Sequence, residues 1–232
     1  MKYKLTDETM TIECGVLLHR IECVCSFGNV KAGDKGGWVQ NENNLSKNGN
    51  AWVFDNARVY GDAQVCDNAQ VCGDAWVFDN ARVFDNALVC DNARVYGDAQ
   101  VCDNAQVCGD AWVFDNARVC GDAQVYEKAQ VFDNARVYDN AQVYGDARVC
   151  GDALIGNSND YIVFKNNWSS GRWFTWTRSN DMWKVGCFYG TGKDLIEKAY
   201  NDSKISGDCY KAYVELVDKL KEIFEKEQQK HK

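Results

Sequence analysis

The sequence contains no proline. A chain that turns often without proline must make its corners from glycine, asparagine and aspartate, which tolerate left-handed backbone angles. Histidine is almost absent: His19 and His231 are the only two, so the commonest general base and metal ligand is scarce. Positive charge is the minority, with 26 Lys and Arg against 34 Asp and Glu and a formal net charge of −8. That excludes the broad basic footprint of non-specific nucleic-acid binding. No apolar run approaches the roughly 18 residues of a membrane span. The opening MKYKLTDETM has no apolar signal core. These absences predict a cytoplasmic protein with neither nucleic acid nor membrane as partner. Cysteine, by contrast, is plentiful at twelve. In the cytoplasm those thiols are expected to stay mostly reduced.

What the chain has instead is a repeat. From Ala51 to Ile155 it follows one rule: Ala, any residue, Val, any residue, then a corner pair. Ala recurs at every sixth position from 51 to 153, and Val follows two residues later each time, with Ile155 as the single substitute. The 27 residues from Ala57 to Val83 recur unchanged from Ala93 to Val119. Within Ala-x-Val the two apolar side chains lie at i and i+2, on one side of a strand. The pair that follows is Asp-Asn or Gly-Asp, except at Glu127-Lys128. A short strand and a corner, repeated, makes a polygon. Three hexapeptides close an 18-residue coil, and a duplication step of 36 is two whole coils, which leaves every side chain on its original wall. About six coils at ~4.8 Å give a prism roughly 29 Å long. Each buried Val contributes about 1.5–3 kcal/mol toward holding it together.

Units such as Val59-Tyr60-Gly61-Asp62-Ala63-Gln64 resemble the hexapeptide repeat of left-handed parallel β-helices. The resemblance implies a mainly β protein, and the left hand comes from it alone. That superfamily includes acyltransferases, γ-class carbonic anhydrases and non-catalytic members. The expected organisation is an N-terminal β cap (1–50), the β-helix (51–158) and a C-terminal aromatic β plus α-helical region (159–232). In the cap, Tyr3–Thr6 and Val16–Ile21 look like strands. Gly36–Val39 and Asn44-Leu45 are imperfect units leading into the prism. In the last region, strands are expected at Tyr161–Phe164, Arg172–Thr177 and Trp183–Tyr189. A helix should begin near Asp194, and a second should run from near Asp208 to about Lys226 with Tyr213, Leu216, Val217, Leu220 and Phe224 apolar. The flanks FGNVKAGDKGGWVQNENNLS and FTWTRSNDMWKVGCFYGTGKDLIEKA resemble the ends of hexapeptide-repeat proteins of bacteria and their phages, which are labelled transferases on fold alone. No catalytic residues carry over from them.

Acyltransferases of this superfamily use a histidine beside the coil, and γ-class carbonic anhydrases use three on zinc. The eighteen hexapeptides contain none. We therefore expect no catalytic residue, no cofactor and no resident metal. Seven cysteines follow the repeat Val: Cys66, Cys72, Cys90, Cys102, Cys108, Cys120 and Cys150. By the 18-residue step Cys72, Cys90 and Cys108 share a column, and Cys66 aligns with Cys102 and Cys120. Thiols on parallel strands suit tetrahedral zinc or a disulfide poorly, and small apolar filler is the simpler reading. The corner aspartates are explained by turns and staggered charge without calcium.

One wall departs from a plain surface. Its outward residues run Arg58, Trp76, Arg94, Trp112 in one column and Tyr60, Phe78, Tyr96, Phe114 in the next. Guanidinium groups interleaved with rings suggest cation–π stacking and an interface. Trp168, Trp173, Trp176, Trp183, Phe188 and Tyr189 make either a small core or a second binding wall, with Arg178, Lys184 and Arg172 near to hold an anion. Gly190-Thr191-Gly192 is more simply an ordinary turn than an anion site. The expected function is a non-catalytic protein of phage or prophage type, a homo-oligomer (trimer or dimer). It would bind or sequester a host component: a host protein or a nucleotide-like immune signal, an anti-defence role. A purely structural scaffold and an acyltransferase-like enzyme are the alternatives.

Overall fold

The computed structural model describes residues 1–230; His231 lies outside the described residues. The chain divides into two compact units, Met1–Asp160 and the residues from Tyr161 onward.

The first unit is a parallel β-solenoid. Eighteen two-residue strands run from Trp52–Val53 to Leu154–Ile155. Neighbours in each wall are 18 residues apart, as Arg94 pairs with Trp112 above it and Trp76 below it. They form three walls, and every repeat Ala and Val, with Ile155, is fully buried between them. The backbone ladder runs one way up the stack: Arg58 N donates to Ala75 O and Trp76 N to Ala93 O, both at 2.9 Å.

The corners carry a second ladder. Each corner is a turn, and at most of them the Ala N–H returns to the carbonyl three residues back, as Ala57 N does to Phe54 O at 3.1 Å. Its first residue takes positive φ, for example +60° at Asp91 and +69° at Gly109. Where Asp-Asn lies below Gly-Asp, two side-chain bonds join the coils. Asp91 Oδ2 accepts from Gly109 N at 3.0 Å, and Asn92 Nδ2 donates to Asp110 Oδ1 at 3.1 Å. The odd corner Glu127-Lys128 keeps the first bond, with its carboxylate accepting from Gly145 N at 2.8 Å. Glycine answers a close approach as well as the dihedral. A Cβ on Gly97 would stand 2.8 Å from Asp115 N, whereas one on Gly15, also at positive φ, would meet nothing within 4 Å.

The open end is sealed by a hairpin. The strands Tyr3–Thr11, Leu17–Cys23 and Lys35–Val39 pair antiparallel in order, and the third then joins the first wall in parallel, Trp38 beside Arg58. The imperfect units thus form a further coil, so that wall holds seven stacked levels rather than six. End carbonyls that no coil can serve are met by side chains. Asn44 Nδ2 donates to Gly61 O and Ala63 O at 2.9 Å, and Lys2 Nζ to Ala51 O at 2.6 Å. Burial pulls the Lys2 ammonium down to about 8 and pushes the Tyr3 hydroxyl up to about 12.

The second unit is a four-stranded antiparallel meander, Tyr161–Lys165, Trp173–Thr177, Met182–Val185 and Phe188–Gly190, followed by helices α1 (Gly192–Asp202) and α2 (Lys204–Lys230). The expected single strand over Trp183–Tyr189 is two strands. Val185 pairs with Phe188 across Gly186-Cys187, and Gly186 at φ +56° supplies the tight turn. Helix α2 starts earlier and ends later than expected. Of its apolar residues Val217 is buried, but Leu216 and Leu220 are exposed. Tyr210 and Val214 complete the buried stripe instead. Among the described residues no helix is long and apolar enough to cross a membrane.

Two stability measurements check this architecture. Gly15→Ala should cost about 1 kcal/mol for the left-handed backbone alone, and Gly97→Ala about 3 kcal/mol because backbone also blocks its Cβ. Asn44→Ala should cost about 2–4 kcal/mol, since it strands two carbonyls at the solenoid end. Thermal unfolding that ranks Gly15→Ala at or below Gly97→Ala in stability would contradict the corner geometry.

Candidate functional site

Alternation along each strand turns Ala and Val inward, so the residues between and after them face out. On the first wall the outward column reads Trp38, Arg58, Trp76, Arg94, Trp112, Gln130, Arg148, each paired with the next. Arg94 lies between two indoles, 5.3 Å from the Trp76 ring and 5.1 Å from the Trp112 ring, and Arg58 lies 4.8 Å from Trp76. The Arg58 Nε is buried without a hydrogen-bond partner; the guanidinium rests on ring face rather than on a carboxylate. Each such contact contributes about 0.5–1 kcal/mol at an exposed site.

The adjacent column is a stack of rings. Tyr60, Phe78, Tyr96, Phe114 and Phe132 succeed one another with centroids 5.1, 4.8, 5.0 and 4.9 Å apart and planes within 4°. Tyr60 and Tyr96 also meet Trp76 and Trp112 edge-on, at 6.2 and 6.4 Å. The three inner rings, Phe78, Tyr96 and Phe114, have both faces covered by neighbours. What stays uncovered is ring edge, the positive part of the aromatic quadrupole. Ring edges and guanidinium groups thus concentrate positive charge on one wall of a chain of net charge −8, with the corner carboxylates Asp79 and Asp115 near Tyr60 and Tyr96. Burial pushes the Tyr60 hydroxyl up to about 12 and raises that of Tyr96, so both are protonated donors at neutral pH.

All eight solenoid residues singled out from the sequence therefore stand on one wall. Two members of the strip were missed. Arg20 lies over Trp38 at 5.0 Å, and its Nη1 donates to Asp55 O at 2.9 Å. Trp38 pairs with Arg58, 20 residues away rather than 18. The first coil is longer because the corner between Leu45 and Ala51 is enlarged, and an 18-residue count misses the pairing. The Trp-Arg spacing itself was the available signal.

The three residues from the second unit behave differently. Trp183 is only 2% exposed and packs edge-on against Phe174 and Phe164, so it is core rather than binding wall. Arg178 covers the Phe224 ring at 4.3 Å, and Lys184 pairs across the sheet with Thr175 and Tyr189. Trp168 is 80% exposed. Thr191 caps α1 by accepting from Asp194 N, and the Asp194 carboxylate already occupies that helix start, as an ordinary turn would have it. His19 lies in the cap strand, half-buried, with Nδ1 3.4 Å from Thr6 O.

The thiol columns form as the arithmetic requires, and no disulfide joins any of the cysteines among the described residues. Cys72, Cys90 and Cys108 occupy successive levels of one wall. On the third wall Cys102 and Cys120 are successive, whereas Phe84 separates Cys66 from Cys102. In the first column the neighbouring thiol is the main influence, raising Cys72, pushing Cys90 up to about 12 and holding Cys108 below the ordinary range. Burial pushes Cys66 up to about 11 and Cys102 to about 12.

Comparison with known proteins agrees with the repeat. A family model described as YdcK Beta solenoid repeat matches residues 51–67, 87–103, 105–121, 129–145 and 141–157. One relative is the "Uncharacterized acetyltransferase YdcK" of Escherichia coli (strain K12), 34% identical over 61 residues. The match spans 23% of this chain and 19% of that protein. The matched segments thus resemble YdcK-type β-solenoid repeats, in keeping with the parallel β-helix of hexapeptide-repeat kind that the strands form.

Proposed function

We propose that the protein is a non-catalytic binding module. It self-associates through its flat walls and uses the Trp-Arg wall to hold or sequester a host component. The observation that carries this reading is the sandwich of Arg94 between Trp76 and Trp112 beside a continuous ring stack. A guanidinium fixed between indoles is pre-ordered, so little side-chain entropy is lost when an anion meets it. Ring edges beside it suit a flat anionic molecule, and a nucleotide-like ligand combines both features. A second copy laid against the wall would exclude water and strengthen each charged contact. In a phage or prophage setting the site of action would be the host cytoplasm, with a nucleotide-like immune signal as the first candidate.

A second reading rests on the name of the relative. An acetyltransferase-like activity would need a proton acceptor, and His19 is the histidine available among the described residues.

Three measurements separate these readings. Thermal shift against a panel of mono-, di- and cyclic nucleotides should raise the melting temperature for at least one member. Trp76→Ala with Trp112→Ala should abolish that rise and reduce the mass seen by light scattering to the monomer. No shift with any nucleotide and an unchanged mass in the double variant would defeat the binding reading. Acetyl-CoA turnover that disappears in His19→Ala would establish the enzymatic one.

A further inference from the structure

The cysteine columns are not explained by a role as filler. Duplication accounts for Cys102 and Cys108, but Cys90 and Cys120 lie outside the copied block and still fall at the adjacent level of each column, and the thiols from Cys66 to Cys120 are only half-buried. Two clusters share one geometry. Cys90, Asp91 and Cys108 bring a sulfur, a carboxylate oxygen and a second sulfur within 4.8 Å of one another; Cys102, Asp103 and Cys120 do the same. In each, the first thiol points a hydrogen bond at the neighbouring carboxylate, Cys90 to Asp91 at 3.8 Å and Cys102 to Asp103 at 3.9 Å.

The strand spacing decides which ion fits. Neighbouring strands lie about 4.8 Å apart. A metal–thiolate bond is about 2.3 Å, so an ion in line between two sulfurs needs them about 4.6 Å apart, while a tetrahedral ion needs about 3.8 Å. A tetrahedral ion also needs donors from four sides, and a flat wall offers them from one. Soft thiolates select soft ions such as Cu(I). We infer that the Cys90–Cys108 and Cys102–Cys120 pairs each bind one thiophilic monovalent cation of the Cu(I) class, in two-coordinate geometry set by the coil spacing. On binding, two S–H bonds break and two metal–sulfur bonds form. Both protons leave to solvent, Asp91 and Asp103 standing as their first acceptors, and no oxidation state changes. Cys72 extends the first column by one level. Cys66 has Phe84 as its neighbour and should bind nothing, which makes it an internal control.

The test is anaerobic titration of the full chain with Cu(I) against a chromogenic Cu(I) chelator. The background carries Cys14→Ser, Cys25→Ser and Cys187→Ser, which removes the exposed thiols. About two Cu(I) per chain should resist the chelator, with X-ray absorption giving two sulfur neighbours per ion. Cys90→Ser and Cys120→Ser should each remove about one equivalent, and together both. Cys66→Ser, an equally conservative change at a half-buried position, should remove none. Loss of all copper to the chelator, retention of copper by the Cys90→Ser/Cys120→Ser variant, or three or four donors per ion would overturn the inference.

Discussion

Everything in the solenoid depends on one step: the backbone hydrogen bonds that place each coil directly on the last. Because Arg58 N finds Ala75 O and Trp76 N finds Ala93 O, a residue and its counterpart 18 positions on are forced into contact. The core follows from that step, since Ala and Val recur at the same height on every wall. So do the outer columns. An indole must face a guanidinium, a ring must stack on a ring and a thiol must meet a thiol wherever the sequence repeats them in that order. Packing inside and chemistry outside are two readings of the same translation.

The corners show how the step is kept in register. A repeated Asp-Asn corner would set carboxylate above carboxylate, and a repeated Gly-Asp corner would leave no acceptor for the glycine amide. Alternating them lets Asp91 accept from Gly109 and Asn92 donate to Asp110. Where Asp follows Asp the contact lengthens, as for Asp85 N to Asp67 Oδ2 at 3.4 Å. On two of the three edges the pairs mostly alternate, which gives those corners a period of two coils. This accounts for a duplicated block with a step of 36 residues rather than 18: the longer step copies the corner bonds intact.

Much of this is legible in the sequence because the contacts are periodic. Ala at every sixth position and Val two later fix the strands, the buried set and the membership of each wall. The eight strip residues on the solenoid follow from counting alone. Legibility fails where the period fails. Trp38 and Arg20 belong to the strip, but an enlarged corner after Leu45 shifts Trp38 by two residues, and the antiparallel hairpin carrying Arg20 obeys no repeat. The second unit has no period to read. A two-residue turn at Gly186 divided an apparent strand, Trp183 went to the core, and Leu216 and Leu220 fell on the outer side of α2 because helix phase depends on which partner the sheet presents. The carboxylate-to-amide bonds at the corners were hidden as well, since charge stagger was sufficient to explain the alternation.

The claim on which the rest stands is that the coils translate in register along one axis, so that columns remain columns. It can be measured directly by pulsed electron spin resonance, with spin labels at Gln70 and Gln142 attached by a chemistry that spares the native cysteines. These positions lie on one wall four coils apart. The account predicts a single narrow distance of about 19 Å, four steps of about 4.8 Å. A broad distribution, or a mean longer by about 5 Å or more, a whole strand spacing, would mean that the coils slip or rotate and that the Trp-Arg strip does not exist as a continuous surface.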